Sequence, residues 1–491
     1  MAFHPSTHNE TGLHFILIPL PCPGHFIPAI DMAKLFASRG ISTTVFLVPS
    51  IANRYGNTIT KEANSNLPIT FIHPYFPSVE SGLPKNSDTV DVIPQNQMGN
   101  FMIALELWQT SIEHFIQQLK PFPPTCMITD RFLPIVAEIA KKLDIRRIIF
   151  DGTGCLNLLV YHQLNVSKIH ETVNHDSEPF VVPGLPDRIE LTRNQIPNLI
   201  TDDLLKDYHN RVKEIDSYAY GLLINSFQEL EQSYYDELRN LNSNLVWCVG
   251  PLSLRNSAKT DKSRRGNKSS IDENQCLKWL DKQNPSSVIY ACHGSLNNLP
   301  LPHLVELGLG LEASNRPFIW VLNSEESAVE KWIKEEDFEK RTEGKGLIIR
   351  GWAPQLLILS HVAVGAFLTH CGWNSTLEGI CSGVPMITWP LSWDQFINEK
   401  LTVEILGIGV GVGSKSALNI GEVVDEIEVS VKREDVTVAV EKIMDGDGEG
   451  EVRRRRVREI GEMAKKAVEE GGSSYHDMSL FIHDMMMIMA V

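Results

Sequence analysis

The stretch WAPQLLILSHVAVGAFLTHCGWNSTLEGICSGVPMITWPLSWDQ, Trp352 to Gln395, gathers chemistry-bearing residues into 44 positions. Trp352 offers a flat aromatic face, and stacking a base on such a face is worth roughly 1–3 kcal/mol. Glu378 has two acceptor oxygens, suited to a pair of neighbouring hydroxyls, as is the acidic residue of dinucleotide folds. His370, Asn374 and Ser375 bring hydrogen-bond donors. The run Asn374-Ser375-Thr376-Leu377-Glu378 reads as a helix start, so its free N–H groups and positive dipole end would join those donors in holding an anion. An aromatic base, a diol and a phosphate-like group are what this set would bind.

Two further residues suit proton transfer. His25 sits in the loop Pro21-Cys22-Pro23-Gly24-His25, and a neutral imidazole near pH 7 is fitted to general-base work. Asp130 closes a β-rich run at Thr125 to Asp130. Both fall at carboxyl ends of strands, where ligands gather in doubly wound sheets.

The elements that must position these residues alternate between strand and helix. His14 to Pro19 reads as a strand, Pro28 to Arg39 as a helix with Pro28 in its first turn and Gly40 at its C-cap, and Ile41 to Pro49 as a strand. A second such passage runs through Thr125–Asp130, Pro134–Leu143 and Arg147–Phe150. From Ser253 to Asn274 the composition turns polar and loses apolar periodicity, which marks a linker. A fresh α/β pattern follows in the strand Val288–Cys292, the helix Pro302–Ala313 and the strand Phe318–Leu322. The expected organisation is a domain at 1–252, a linker at 253–274, a second domain at 275–472 and a C-terminal helix at 473–491, packing back on the first domain.

A length of 491 residues suits two domains, and 43% hydrophobic with 22% charged residues is the make-up of a globular enzyme. Forty-five basic against 61 acidic side chains, a formal charge of -16, argue against a nucleic-acid or anionic-membrane face. Eight scattered cysteines without a C-x-x-C signal neither zinc nor a disulfide framework. The polar N-terminus lacks a basic n-region, and Phe15–Leu20 is too short for a signal peptide or membrane span, so a cytoplasmic location is expected. The sequons at Asn9 and Asn165 read as chance.

W-x-P-Q at the start of the 44-residue stretch, H-C-G-W-N-S-x-x-E in its middle and D-Q at its end together resemble the signature box of the plant secondary-product UDP-glycosyltransferases of family 1. Taken singly, Trp352 would read as a core aromatic and His370 as a satisfied buried histidine; it is the spacing of the whole that decides. The likeness extends to Pro-Gly-His near the start, Gly294-Ser295, and Asn398-Glu399-Lys400 after the box. It implies a GT-B fold, two Rossmann-like doubly wound α/β domains facing a central cleft, with the acceptor mostly on the first and the nucleotide sugar mostly on the second. By the same resemblance Trp352 stacks uracil with Ala353 and Gln355 at the base edge, and Glu378 holds the ribose. His370, Asn374, Ser375 and Ser295 meet the pyrophosphate, Asp394 and Gln395 meet the sugar, and Trp373 serves packing or donor contact.

The activity implied is inverting transfer of a sugar from a UDP-sugar to a hydroxyl of a small lipophilic acceptor, a flavonoid, other phenolic or triterpenoid. His25 would be the base and Asp130 its orienting partner. Gln395 favours UDP-glucose; UDP-galactose, UDP-xylose and UDP-glucuronate are the alternatives. An inactive sugar-nucleotide or small-molecule binding protein is a more distant one, which the retained His25, Asp130 and Glu378 argue against. The UDP-sugar is a co-substrate, no cofactor or metal is expected, and the chain is expected to be a monomer. Two departures from the pattern stand out, His293 before Gly294-Ser295 and Asp151-Gly152-Thr153.

Weaker motifs are set aside. Gly308-Leu309-Gly310-Leu311-Glu312-Ala313 fits G-x-G-x-x-A but lies in a helical pattern ahead of a strand, the wrong order for a dinucleotide loop. Asp445-Gly446-Asp447 reads as a turn, Arg453–Arg456 as a solvated helix face, and Met485-Met486-Met487 as packing.

Overall fold

Short β-branched runs bounded by proline and glycine form two large sheets, each wholly parallel, in a computed structural model of the chain, and a two-stranded antiparallel ribbon pairs Phe180–Val181 with Glu190–Leu191. The structure describes residues 12–54, 67–119, 123–197, 203–243, 245–256, 262, 265–267, 269–296, 299–322, 327–418, 429–446 and 448–489. The chain divides into two compact units. One comprises Met1–Cys155, Asp202–Asn256 and Ala467–Val491; the other comprises Leu156–Thr201 and Ser257–Lys466. The first domain was expected to run unbroken over 1–252, but Leu156–Thr201 groups with the second unit, where Asn157 Nδ2 donates to Asn398 Oδ1 at 2.5 Å. Residues 257–261, 263, 264 and 268 of the expected linker lie outside the described residues.

The sheet of the first unit contains β1 (His14–Ile18), β2 (Ser42–Phe46), β3 (Ile69–Ile72), β4 (Cys126–Asp130), β5 (Arg146–Asp151), β6 (Gly221–Ile224) and β7 (Val246–Cys248). Their order is β3-β2-β1-β4-β5-β6-β7. The chain therefore winds outward from β1 to β3 and returns to lay β4 on the other side of β1, with Phe15 level with Cys126. That reversal creates a switch point between the ends of β1 and β4.

Helix α1 (Pro23–Ala37) starts five residues earlier than the sequence pattern suggests. Pro23 takes the first-turn position, where a missing N–H costs nothing. Pro28 thus lies inside the helix and forgoes one backbone bond. The shift moves His25 from a loop into the first turn of α1. Helix α2 (Pro134–Lys142) follows β4 as expected.

The C-terminal helix Ser473–Met489 belongs to the first unit and completes its core. Phe481 is fully buried and packs on Phe15, Phe36 and Trp247, with ring centroids 5.2 to 5.9 Å away. Asp477 accepts hydrogen bonds from the Tyr235 hydroxyl and the Cys248 amide, each at 2.8 Å.

In the second unit β8 (Val288–Cys292), β9 (Phe318–Leu322), β10 (Gly346–Arg350), β11 (Val364–Thr369), β12 (Met386–Thr388) and β13 (Gly409–Gly411) take the order β10-β9-β8-β11-β12-β13. The same winding puts a switch point between β8 and β11. Gly308 and Gly310 lie in the helix Leu301–Ala313, where a Cβ on Gly310 would come within 2.7 Å of Val436. These glycines permit close helix packing.

The basic run differs from its expected solvated role at one position. Arg454 is buried, and its guanidinium donates to the carbonyls of Ile443 and Asp445 at 2.8 and 2.5 Å, closing off the preceding helix end. Asp447 lies outside the described residues. All eight cysteines are free thiols. Among the described residues no helix is long and apolar enough to cross a membrane, and no group of three or more His, Cys, Asp or Glu is arranged to hold a metal.

Candidate active site

Each switch point carries one half of the expected chemistry. In the first unit, α1 begins just after β1 and brings His25 toward the end of the adjacent β4, which is Asp130. His25 Nδ1 and Asp130 Oδ2 are 2.6 Å apart. A carboxylate can only accept, so Nδ1 carries the proton and a neutral ring presents Nε2 as its base. The Asp130 side chain is 4% exposed and that of His25 26%, which leaves the imidazole reachable while its partner is shielded. The Phe132 amide donates to Asp130 Oδ1 at 2.9 Å and fixes the carboxylate's rotation.

Asp151, at the end of β5, is committed to protein groups. Arg131 Nε lies 2.8 Å from its Oδ2, and the Thr153 amide donates to its Oδ1 at 3.1 Å. Burial pushes this carboxyl upward while Arg131 opposes the shift.

In the second unit the turn after β8 carries His293, Gly294 and Ser295, and the residue after β11 is His370. A Cβ on Gly294 would come within 2.5 Å of the His370 ring and one on Gly372 within 2.4 Å, so only glycine fits on either side. Burial pushes His370 down to about 4, keeping it neutral near pH 7. Beyond it α3 (Trp373–Cys381) presents Asn374 and Ser375 in its first turn and Glu378 in its second. Trp373 is buried.

A hydrogen-bond network orders these groups. Gln355 Nε2 donates to Glu378 Oε2 at 2.8 Å and to Ser375 Oγ at 3.1 Å, and its Oε1 accepts from the Tyr290 hydroxyl at 3.3 Å. Both amide hydrogens of Gln355 thus hold neighbouring side chains. Ala353 is buried beside Trp352, whose carbonyl accepts from the amide and hydroxyl of Ser270 at 2.9 and 3.0 Å.

At the end of the box, α4 (Gln395–Lys400) starts from Asp394. Gln395 Oε1 accepts from the amides of Leu391 and Ser392 at 2.8 and 3.0 Å. Backbone N–H groups can only donate, so the amide's orientation is fixed and its acceptor end is spent inside the loop. Asp394 Oδ2 accepts from Asn398 Nδ2 at 3.0 Å, and the same Nδ2 donates to the Cys371 carbonyl at 2.8 Å. Cys371 (φ 64°) and Trp393 (φ 55°) hold left-handed backbone, a conformation costing on the order of 1–3 kcal/mol that concentrates at ligand sites.

The model of the family "UDP-glucoronosyl and UDP-glucosyl transferase" matches residues 274–445. UDP-glycosyltransferase 73C25 of Barbarea vulgaris is 44% identical over 488 residues, 98% of each chain. The chain belongs to the plant UDP-glycosyltransferases. Its two Rossmann-like units are those of the GT-B fold, and the family's enzymes transfer a sugar from a UDP-sugar. Among solved structures, UGT73P12 of Glycyrrhiza uralensis, complexed with glycyrrhetinic acid 3-O-monoglucuronide, matches with a TM-score of 0.89 at 33% identity, covering 97% of this chain and 96% of that one. UGT71G1 of Medicago truncatula, complexed with UDP-glucose, matches with a TM-score of 0.77 at 25% identity, covering 96% and 98%.

Within this UDP-glycosyltransferase the departure at His293 has a packing explanation. The ring is buried edge-on to Trp389, with centroids 5.5 Å apart at 84°, and burial pushes it down to about 3. A neutral imidazole here fills an aromatic's place. Sequence reasoning missed Arg265, which contacts Glu378 through Nη1, and Gly266, which packs on Trp352. Both lie in a polar stretch with no periodicity to mark them as anything but spacer.

Proposed function

We propose that the chain transfers glucose from UDP-glucose to a hydroxyl of a small lipophilic acceptor with inversion at the anomeric carbon, giving a β-O-glucoside. His25 Nε2 takes the proton of the acceptor hydroxyl, the freed oxygen attacks C1 from the face opposite UDP, and the C1–O bond to the diphosphate breaks, releasing UDP. Asp130 keeps the ring in the working tautomer and stabilises the imidazolium that forms, as the aspartate of a hydrolase triad does. The 2.6 Å contact between His25 and Asp130 is the observation that carries this reading.

For the donor, Trp352 is read as the uracil platform with the Ala353 backbone and Gln355 beside it, Glu378 as the ribose acceptor, and Asp394 and Gln395 as the sugar contacts. With its oxygen spent on the loop, Gln395 would act toward the sugar through Nε2. His370, Asn374, Ser375, Ser295 and the N-terminus of α3 supply hydrogen-bond donors and a helix-dipole end for the leaving diphosphate, and we propose that no metal takes part. Glucose is favoured by Gln395 and by the Medicago relative solved with UDP-glucose. A lipophilic acceptor accords with the compound held by the Glycyrrhiza relative. Free thiols suit a reducing compartment such as the cytosol, and a net charge of -16 favours a monomer there.

The test is His25→Ala, assayed with UDP-glucose and a panel of phenolic and triterpenoid acceptors with and without EDTA. Turnover should fall by at least about a hundredfold, the share general-base catalysis commonly supplies, while UDP affinity stays near that of the unmutated enzyme. An undiminished rate would sink the assignment.

A further inference from the structure

Arg265, Gly266 and Ser270 lie in the segment whose composition reads as linker, yet each touches Trp352 or Glu378, two of the groups assigned to the uridine. The Arg265 guanidinium pairs through Nη1 with Glu378 Oε1, and the two side chains are 10% and 4% exposed. Gly266 (φ 100°) lies so close to the Trp352 indole that a Cβ on it would come within 2.1 Å of the ring. Ser270 holds the Trp352 carbonyl through both its amide and its hydroxyl.

We infer that these three residues brace the uridine half of the donor site, with Arg265 as a positioning residue that fixes the Glu378 carboxylate to receive the ribose diol. The inference rests on the reading of Glu378 as the ribose acceptor.

The acceptor arithmetic supports it. An ionised carboxylate has about four lone-pair sites. Gln355 Nε2 takes one on Oε2, and Arg265 takes one on Oε1. Among the described residues one site is left on each oxygen, matching the two hydroxyls of a ribose. Two cross-linked oxygens also hold the carboxylate's rotation, so the diol meets a preset acceptor and the ordering cost of binding falls. Charge points the same way. Glu378 lies in the second turn of the helix whose first turn is assigned to the diphosphate, and an uncompensated buried carboxylate there would repel that dianion. The guanidinium cancels that repulsion where burial makes it strongest.

An arginine serves this better than a lysine. Its planar fork has five donors and stays charged, so it can hold Glu378 and still reach other partners. The positive φ of Gly266 and its contact with the indole aim the neighbouring arginine; any other residue there would carry a Cβ into the ring.

The experiment measures UDP and 2′-deoxy-UDP affinity by titration calorimetry for the full-length enzyme and for Arg265→Ala, Arg265→Gln and Arg265→Lys, with donor KM and kcat followed in parallel. Losing a hydrogen bond to a charged partner costs enough to weaken UDP by about tenfold in Arg265→Ala. Arg265→Lys should recover part of this loss, and donor KM should rise more than kcat falls. The discriminating readout is the ratio of UDP to 2′-deoxy-UDP affinity, which should shrink severalfold in Arg265→Ala and Arg265→Gln because Glu378 no longer waits in register for the 2′-hydroxyl. An unchanged ratio would overturn the inference even with weaker binding, since a merely structural loss would move both ligands alike. Tighter UDP binding in the alanine variant would overturn it too, showing that the guanidinium competes with the ribose. If the unmutated enzyme failed to bind UDP, the donor-site reading itself would fall. Should Arg265→Ala not fold, the glutamine and lysine variants carry the same ratio test.

Discussion

His25 and His370 each stand at a switch point of a parallel sheet, one in each unit, yet their surroundings give the same side chain opposite characters. His25 is partly exposed and tied through Nδ1 to a buried carboxylate, an arrangement that makes Nε2 a base and favours the charged ring once a proton arrives. His370 is walled by Gly294 and Gly372 and pushed down to about 4 by burial, which leaves it an uncharged donor for the role proposed for it. The contrast teaches that the role of an imidazole follows from its second partner and its burial, not from its place in the topology.

The sharpest way to break this comparison is to remove the carboxylate from the first site. Asp130→Asn keeps a side chain that can bond the ring but cannot stabilise its charge, and its amide can donate, favouring the wrong tautomer. We expect kcat to fall by roughly a hundredfold or more, with donor KM little changed because Asp130 lies in the first unit. A stopped-assay rate within a fewfold of the unmutated enzyme would mean that His25 needs no partner.

A smaller effect is expected in the second site. Trp352→Ala should weaken UDP by the stacking contribution of roughly 1–3 kcal/mol, between about fivefold and more than a hundredfold in Kd. Uracil recognition that survives the change would move the base platform elsewhere.

The smallest effect concerns stability and pH. His293 is pushed down to about 3 and His370 to about 4, against about 6.5 when unfolded. Between those values the unfolded chain binds more protons, so stability falls as pH drops through the window from 6.5 toward 3. His293→Phe removes one of these groups and keeps an aromatic against Trp389. Its apparent Tm should drop less than that of the unmutated enzyme between pH 7 and pH 5, by a few degrees, for a histidine penalty of about 2 kcal/mol at pH 5. Equal drops in a thermal scan would show that His293 takes up protons freely.

Legibility in the sequence followed how local each signal was. The strands Val288–Cys292 and Phe318–Leu322 and the Trp352–Gln395 box are contiguous, and local pattern suffices for them. The pattern places the start of α1 too late because two prolines compete for the first turn, and Pro23 takes it while Pro28 is carried inside. Arg454 reads as solvated because a buried arginine bonding carbonyls has no sequence mark. The pairing of Arg265 with Glu378 spans 113 positions and lies next to a glycine with left-handed backbone. Periodicity carries no trace of such a contact.

The helix Ser473–Met489 has a consequence for the order in which the protein can be finished. Phe481 fills the space among Phe15, Phe36 and Trp247, and Asp477 answers Tyr235 and the Cys248 amide. The first unit's other segments end at Asn256. At a synthesis rate of about 5–20 residues per second, the ribosome needs roughly 10 to 50 s more to deliver the helix, and by then the other unit has been made. The part of the chain translated first is thus the part completed last, and its unfilled core must be kept from aggregating while the rest is translated.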